Sequence, residues 1–306
     1  LDLEAQKVAY KQLNNRRGAV VAVDISNGAI VSYLSSPSFS VNKIANGLSN
    51  KEFQNLLNDK NKPFFDRASQ GRYSPASTIK PAIGLYGLES EIIDWDYFMN
   101  DPGFFILPED ERTLRGWKKG GHGNINLNNA IIESSNTFFF SLAYKSDINE
   151  LIEYLSNFGF GKNICIDCFQ PDKGLLPSPT WKMNNLNFGW VKGDTVNIGV
   201  GQGYMSATPI QLAYYAATLA NKGTLNEFSF VQDSQETPKN TLFTININNN
   251  DWEKIHRSMI GVIESPKGTA TRLRQLRDFT IAAKSGTVEL VSTETKEDYK
   301  IIREVE

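Results

Sequence analysis

The uneven distribution of strand-forming and helix-forming patterns along the chain restricts its possible folds most strongly. Two β-rich runs, Ala19–Val23 and Ala29–Leu34, flank a Ser26-Asn27-Gly28 turn signal and predict a hairpin. Helical patterns dominate from Ser77 to about Asn221, and strand-like alternation returns at Phe279–Ala283. Strands at both ends of a mainly helical block predict an α+β protein, with one mixed or antiparallel sheet flanked by helices and an all-helical subdomain beside it.

Local signals place several of the helices. The first fourteen residues space their apolar side chains as a helix does, and Asp251–Ile263 is amphipathic. Thr208 as the cap, Pro209 in the first helical position and Gln211 three residues after the cap mark the start of another helix. The polar residues 40–75 favour surface loops with one short helix.

The chain is interpreted as one domain with the composition of a globular protein. We expect residues 1–306 to form this domain, with a helical subdomain at about 82–190 inserted between the sheet-forming segments 16–36 and 278–306. The 32 Lys and Arg against 34 Asp and Glu give a net charge of −2, so no nucleic-acid partner is predicted. The sequence contains no run of about 18 apolar residues, which is what a bilayer-spanning helix would need. Its two cysteines are too few for a disulfide-rich scaffold.

The segment Ser77-Thr78-Ile79-Lys80 places a hydroxyl and an amine three residues apart. On a helix this spacing puts both side chains on one face, one turn apart. Because proline is tolerated only in the first turn of a helix, Pro81 predicts a helix that begins near Ser77. Ser77 would then lie at the positive end of the helix dipole, with its hydroxyl within reach of Lys80, as an activated nucleophile requires.

A Ser and a Lys at this spacing also occur by chance, so the SxxK motif is weak evidence by itself. Two further motifs strengthen the interpretation. Ser134-Ser135-Asn136 is an SxN triplet, and Lys284-Ser285-Gly286-Thr287 follows the strand-like run near the end of the chain. The order SxxK, SxN, K-[ST]-G is the signature of penicillin-binding proteins and serine β-lactamases. The joint occurrence of the motifs predicts acyl transfer through a serine.

A resemblance to one family extends beyond the motifs. Residues 17–24, 35–39 and 67–81 resemble the start of a class B penicillin-binding protein transpeptidase domain. Four further segments resemble the elongation-specific branch of that family: Asp101–Gly103, Trp117–Gly123, Gly193–Thr195 and Gly199–Tyr204. The match covers about residues 15–290 and implies the fold shared by penicillin-binding proteins and serine β-lactamases. Since that fold continues after the K-[ST]-G motif with strands and a C-terminal helix, and follows a pedestal and membrane anchor, we expect this chain to be partial.

The resemblance implies a role for each residue of the first two motifs and for the second lysine. Ser77 corresponds to the acylated serine, and Lys80 to its general base. Ser134 corresponds to the hydroxyl that passes a proton toward the leaving amine, and Asn136 to a contact with the substrate amide. Lys284 corresponds to a source of positive field between the serines.

The third motif is expected, by the same resemblance, to bind the substrate. Ser285 and Thr287 correspond to the groups that grip its terminal carboxylate, with Gly286 between them. The backbone N–H groups of Ser77 and Thr287 would bind the oxyanion. Two lysines near one serine also fit the chemistry, because poor solvation and a neighbouring positive charge lower the pKa of a lysine enough for it to accept a proton.

The implied activity is that of a peptidoglycan D,D-transpeptidase in cell elongation and shape. It attacks the D-alanyl-D-alanine bond of a donor stem peptide and passes the acyl group to an amine of a neighbouring stem. β-Lactams are expected to bind covalently to Ser77, and no cofactor is expected. The resemblance further implies a place at the periplasmic face of the bacterial inner membrane, an N-terminal transmembrane anchor outside this chain, and two partners: a polytopic elongation glycosyltransferase and an elongation scaffold.

Histidine and cysteine positions raise the question of a metal. Some members similar to this branch bind zinc through four residues, whose positions here hold Asp101, Gly116, His122 and Ser135. Two of the four ligands remain, fewer than the three that a protein zinc site normally has, so no metal site is predicted. The motif Cys165-Ile166-Asp167-Cys168 has no second pair and is interpreted as structural, with a disulfide in an oxidising compartment left open.

Two alternative functions are retained. The same scaffold could serve a serine β-lactamase or D,D-carboxypeptidase, whose deacylation by water needs a positioned carboxylate. The candidate carboxylate, Glu153, fits a surface helix better. The other alternative is a non-catalytic β-lactam-sensing or scaffolding module, against which the intact motif residues argue.

Overall fold

Helices and short antiparallel strand pairs follow one another in the computed structural model, which describes residues 1–231, 241–245, 247–275, 278–288, 290–292 and 300–302. The α-helices are α1 (Leu3–Leu13), α2 (Val41–Ala45), α3 (Asn50–Leu57), α4 (Lys80–Glu89), α5 (Leu127–Ile132), α6 (Asn136–Lys145), α7 (Ile148–Ser156), α8 (Pro179–Leu186), α9 (Lys192–Ile198), α10 (Pro209–Ala220) and α11 (Asn249–Glu264). The strands are β1 (Gly18–Asp24), β2 (Ala29–Ser36), β3 (Phe98–Asp101), β4 (Phe104–Ile106), β5 (Thr113–Arg115), β6 (Gly123–Asn126), β7 (Thr224–Asn226), β8 (Thr241–Thr244), β9 (Leu290–Ser292) and β10 (Lys300–Ile302). The predicted α+β class is confirmed.

The described strands pair two by two, and each pair is antiparallel: β1 with β2, β3 with β6, β4 with β5, β7 with β8, and β9 with β10. The predicted hairpin is β1–β2, whose turn closes when the N–H of Gly28 donates to the carbonyl of Asp24 at 2.8 Å. The predicted strand at Phe279–Ala283 is wrong, since this segment joins no described ladder. Its Ala283 N–H instead donates to the carbonyl of Met259 in α11, at 3.0 Å.

The predicted helix starts are confirmed by their caps. At the start of α10, the Thr208 side chain and Gln211 form a reciprocal capping box, with Pro209 in the first turn. The polar stretch 40–75 contains two short helices, α2 and α3, where one was predicted, because a separate serine caps each of them. None of the described helices is long and apolar enough to cross a bilayer.

Two compact units make up the described chain, and the first consists of Leu1–Tyr73, Leu155–Leu176 and Ala207–Asn246. Within it, α10 packs against β1. Buried apolar side chains from the hairpin, α10 and neighbouring segments form its core: Ile30, Ile164, Cys165, Ile210, Tyr214, Ala217 and Phe228. A disulfide joins Cys165 to Cys168. The sequence left open whether these two cysteines pair, and in the structure they do.

The second unit consists of Ser74–Tyr154, Pro177–Ser206 and Ile247–Glu306, and α4 is its central helix. Helices α5, α6 and α11 pack against α4, whose first eight residues are all buried. Glycines allow the close approach: a Cβ on Gly84 would lie 2.8 Å from Leu127 of α5, and a Cβ on Gly87 would lie 2.8 Å from Leu142 of α6. The N-terminal end of α4 is therefore shielded from water.

Candidate active site

Ser77 lies in a 3₁₀ turn, Ala76–Ile79, that leads directly into α4. Its carbonyl accepts the backbone N–H of Lys80, and Pro81 occupies the first turn of the α-helix. The predicted helix start near Ser77 is therefore confirmed, with a tighter first turn than expected. The Ser77 side chain is partly exposed, and its Oγ makes no hydrogen bond within the described residues.

Lys80 carries its amine into the interior of the second unit. Its Nζ donates to the carbonyl of Ser134 at 2.9 Å and to Oδ1 of Asn136 at 2.7 Å, and lies 3.4 Å from Oγ of Ser134. The side chain is fully buried. Burial, reinforced by the positive charge of Lys284, lowers the pKa of Lys80 well below its ordinary value.

Lys284 reaches the same hydroxyl from the opposite end of the sequence. Its Nζ donates to Oγ of Ser134 at 2.8 Å and to the carbonyl of Ser285 at 3.1 Å. Burial lowers the pKa of Lys284 to about 7. Two lysines with depressed pKa values therefore meet at one serine hydroxyl, the arrangement that a proton relay requires.

The SxN triplet turns two of its side chains toward Lys80 and the third toward Asp101. Ser134 has φ of 56°, in the left-handed region, and points toward the two lysines. Ser135 caps α6 and donates to Oδ2 of Asp101 at 2.6 Å. Asn136 is the first residue of α6 and accepts from Lys80. The tight turn thus delivers two polar groups to Lys80 within three residues.

The Lys-Ser-Gly segment lies against the turn that holds Ser77. A Cβ on Gly286 would be 2.9 Å from Cγ2 of Thr78 and 3.2 Å from the carbonyl oxygen of Pro75, so glycine permits this approach. The hydroxyl of Ser285 lies 2.7 Å from the hydroxyl of Thr269, a residue that sequence reasoning missed. Thr287 is exposed.

The expected oxyanion donors are open in the structure. Neither the backbone N–H of Ser77 nor that of Thr287 donates to another backbone group within the described residues. Ser77 lies between Pro75 and Thr78, the two residues that Gly286 approaches, and Thr287 directly follows Gly286. Both N–H groups are therefore available to an incoming oxygen.

Gly201 contacts the start of the nucleophile turn, the 3₁₀ turn Ala76–Ile79 that holds Ser77. Ala76, with φ of 49°, donates its N–H to the carbonyl of Gly201 at 2.8 Å, and a Cβ on Gly201 would overlap the backbone of Ala76. The glycines on both sides of Gln202 predict a tight turn on the cleft wall. The contact of this turn with Ala76 could not be predicted from the sequence.

Trp117 is, like Thr269, a residue of the site that the sequence motifs do not indicate. Its indole Nε1–H donates to the carbonyl oxygens of Glu133 and Ser134, each at 3.2 Å.

Among the four positions that correspond to zinc ligands, Asp101 and His122 are the two with metal-binding side chains, and no group of three or more His, Cys, Asp or Glu that could hold a metal is found within the described residues. Nδ1 of His122 lies 2.6 Å from Oδ2 of Asp101, in direct hydrogen-bond contact. The other two positions offer a serine hydroxyl, which binds Asp101, and Gly116, which has no side chain. Although burial raises the pKa of Asp101, hydrogen bonds from Ser135, His122 and the N–H of Gly103 hold it below its ordinary value.

The SxxK, SxN and K-[ST]-G motifs all lie in the second unit, on an α+β scaffold, and Lys80 and Lys284 are both bonded to Ser134. These motifs in this order are the signature of penicillin-binding proteins and serine β-lactamases. The chain belongs to the penicillin-binding protein transpeptidase family: the family model described as "Penicillin binding protein transpeptidase domain" matches residues 18–302. The family predicted from the motifs is thereby confirmed.

Its relatives include proteins named as peptidoglycan D,D-transpeptidases. The chain is 38% identical over 299 residues to the peptidoglycan D,D-transpeptidase MrdA of Acinetobacter baumannii, covering 95% of this chain and 44% of that protein. Among solved structures, penicillin-binding protein 2 of Pseudomonas aeruginosa in complex with WCK 5153 superposes with a TM-score of 0.90 at 35% identity, over 95% of this chain and 64% of that one. Penicillin-binding protein 2 of Helicobacter pylori in complex with MreC gives 0.85 at 30% identity, over 94% of this chain and 53% of that one. The chain spans about half the length of the curated relatives it matches.

Proposed function

We propose that the protein is a serine D,D-transpeptidase that cross-links peptidoglycan stem peptides during cell elongation. The observation that carries the proposal is that Lys80 and Lys284 both extend to the Ser134 hydroxyl. Lys80 lies one helical turn after Ser77. Both lysines have lowered pKa values, which suits proton transfer at neutral pH. The identity to D,D-transpeptidase relatives supports the same reaction.

In the acylation half-reaction, Oγ of Ser77 attacks the carbonyl carbon of the D-alanyl-D-alanine amide, and the neutral amine of Lys80 takes the hydroxyl proton. The tetrahedral oxyanion rests on the backbone N–H groups of Ser77 and Thr287. When the C–N bond breaks, D-alanine leaves as its amine receives a proton through Oγ of Ser134. The stem peptide remains as an ester on Ser77.

In the second half-reaction, an amine of a neighbouring stem attacks this ester. Its proton passes back through the Ser134 hydroxyl and Lys80 to Oγ of Ser77, and the new amide leaves. Asn136 contacts the substrate amide, and Lys284 supplies the positive field beside Ser134. During acylation, Ser285 and Thr287 hold the terminal carboxylate of the donor peptide, which then leaves with D-alanine, and Gly286 keeps that segment close to the turn that holds Ser77.

The wider setting follows from the same relationship. We infer an anchor outside this chain that holds the protein at the periplasmic face of the bacterial inner membrane. The structure of a relative in complex with MreC supports an elongation scaffold as a partner. A polytopic glycosyltransferase that polymerises the glycan strands is the second proposed partner, and β-lactams are proposed to acylate Ser77.

Labelling with a fluorescent penicillin tests the proposed nucleophile. The protein should gain one covalent adduct, located on Ser77 by peptide mass spectrometry, and Ser77→Ala should remove it. Ser90→Ala makes the same chemical change at the C-terminal cap of α4 and should keep the label. An unlabelled wild-type protein, or a label that survives Ser77→Ala, contradicts the proposal, and rapid turnover of the label would favour the β-lactamase alternative.

A further inference from the structure

The left-handed turn at Ser134 needs support from outside the SxN triplet. A non-glycine residue with φ of 56° lies in the left-handed region, which L-residues with a Cβ adopt only against backbone strain. Such a conformation persists only where the surroundings hold it in place. Ser134 must nevertheless keep this conformation, because its Oγ is the group to which Lys80 and Lys284 both extend.

Trp117 binds the outer side of this turn. Its indole Nε1–H donates to two consecutive carbonyl oxygens, those of Glu133 and Ser134, each at 3.2 Å. The carbonyl of Ser134 also accepts Nζ of Lys80 at 2.9 Å. One backbone oxygen therefore joins the tryptophan to the lysine beside the nucleophile.

Burial does not explain the choice of tryptophan here. The Trp117 side chain is 59% exposed, so the hydrophobic effect contributes little to its placement. Its ring is instead fixed from behind by the edge of His122, with ring centroids 5.6 Å apart. His122 is held by Asp101, which also accepts the hydroxyl of Ser135. The SxN turn is thus bound on one side through Ser135 and on the other through Trp117.

We propose that Trp117 is a positioning residue for the acylation step, whose indole N–H holds Ser134 in the left-handed conformation and so keeps its hydroxyl between the two lysines. The inference rests on the proposed acylation of Ser77. Substrate binding through the Lys-Ser-Gly segment does not depend on this contact. Loss of the indole N–H therefore slows the covalent step far more than it weakens non-covalent binding, to which Asn136 of the SxN turn adds one contact.

The test separates non-covalent binding from covalent acylation by stopped-flow measurement with a chromogenic or fluorescent penicillin. Trp117→Phe removes the donor and part of the ring, whereas 3-benzothienylalanine at position 117 removes only the N–H. Both should lower the acylation rate constant by about 10- to 100-fold, the cost of a misplaced catalytic group, with the dissociation constant within about twofold of wild type. Trp190→Phe removes an equivalent indole hydrogen bond, to Oγ1 of Thr195, and should leave both constants unchanged.

The outcomes distinguish this inference from the proposed function. If the wild-type protein is acylated on Ser77 and the benzothienyl variant acylates at the wild-type rate, the role of Trp117 is refuted and the proposed function stands. If the Trp117 variants and Trp190→Phe all show a lower melting temperature, a slower acylation rate constant and a higher dissociation constant, Trp117 has a structural role. This result likewise refutes the inference. If the wild-type protein forms no Ser77 adduct, the proposed function itself fails.

Discussion

At the scale of single residues, the two lysines are placed for different tasks. Lys80 is fully buried, shares a turn with Ser77 and is bonded to the SxN triplet by three contacts. Lys284 comes from a distant segment, and the hydrogen bonds of its amine to described residues go to the hydroxyl of Ser134 and to the neighbouring carbonyl of Ser285. We therefore assign proton abstraction to Lys80 and electrostatic support of the Ser134 hydroxyl to Lys284.

Substitution of the lysines should separate these tasks. Lys80→Ala should reduce the second-order acylation constant by about 10²–10⁴-fold, the contribution of a positioned general base. Lys284→Arg keeps the charge without the compact ammonium, so it should retain part of the acylation that Lys284→Ala loses. The assignment is refuted if Lys80→Ala acylates at near wild-type rates while Lys284→Arg does not.

The pH dependence of acylation should report both lysines. The reaction needs Lys80 neutral and Lys284 protonated, so the second-order constant should rise with pH through the lowered pKa of Lys80 and fall as pH passes about 7, where Lys284 loses its proton. In Lys284→Arg the falling limb should disappear, because a guanidinium keeps its charge. Acylation rates of the wild type and of Lys284→Arg, measured from about pH 5 to about pH 9, check this prediction. Identical pH profiles for the two proteins would disprove the role of Lys284.

At the scale of elements, backbone proximity builds the site as much as side chains do. The nucleophile turn is bordered by Gly201 on one side and Gly286 on the other, and in each case a Cβ would meet backbone or side-chain atoms of that turn. These contacts fix where the helix dipole of α4 and the N–H of Ser77 point. The glycines therefore act on catalysis through the position of the turn.

A glycine substitution should show this effect. Gly201→Ala should slow acylation by at least about 10-fold, because the new Cβ displaces Ala76 and misplaces the nucleophile. Gly47→Ala is the matched control: Gly47 also has positive φ, and no atom lies within 4 Å of its added Cβ. Both variants should lose roughly 1–2 kcal/mol of folding stability from the strained backbone, measured by denaturant unfolding, while Gly47→Ala should acylate normally. Equal acylation by the two variants would show that Gly201 has no positioning effect.

Local signals account for the elements that the sequence predicts correctly. The hairpin, the helix at Pro209 and the start of α4 are each encoded by neighbouring residues, through turn, cap and proline chemistry. The pairing of β3 with β6 joins segments more than twenty residues apart and carries no such signal. Phe279–Ala283 has the alternation of a strand but no described partner, and strand formation depends on that partner.

The candidate site was predictable to the same extent. The motif residues could be named from their spacing, and the structure bonds Lys80 to Ser134 and Asn136, and Lys284 to Ser134. The support from Trp117 and Thr269 could not be predicted, because each of these residues meets its partner only after the chain has folded. Glu153 lies on the exposed side of α7, as the sequence pattern indicated.

At the scale of the whole molecule, the disulfide and the catalytic residues belong to different compact units. Cys165 contributes to the core of the first unit, whereas Ser77 and both lysines lie in the second. The disulfide closes a short loop, since only two residues separate the cysteines. Its role is therefore stabilisation of the first unit.

Removal of the disulfide should lower stability without a direct effect on the chemistry. A variant with Cys165→Ala and Cys168→Ser should lose up to about 2 kcal/mol, as expected for a short loop. Its melting temperature should fall, and reductant should lower the wild-type value to the same level without changing the variant. Acylation rates below the transition should match wild type. A wild-type melting temperature that is insensitive to reductant would contradict this role.

The most direct test of the central claim is the transfer of an acyl group from a synthetic stem peptide ending in D-alanyl-D-alanine to an added amine. We expect the protein to release D-alanine and to form the new amide in equal amounts, and Ser77→Ala to abolish both products. Release of D-alanine with only the hydrolysed peptide would identify a carboxypeptidase. Absence of both products from a folded protein whose Ser77 is acylated by penicillin would contradict the transpeptidase assignment and leave a β-lactam-sensing module.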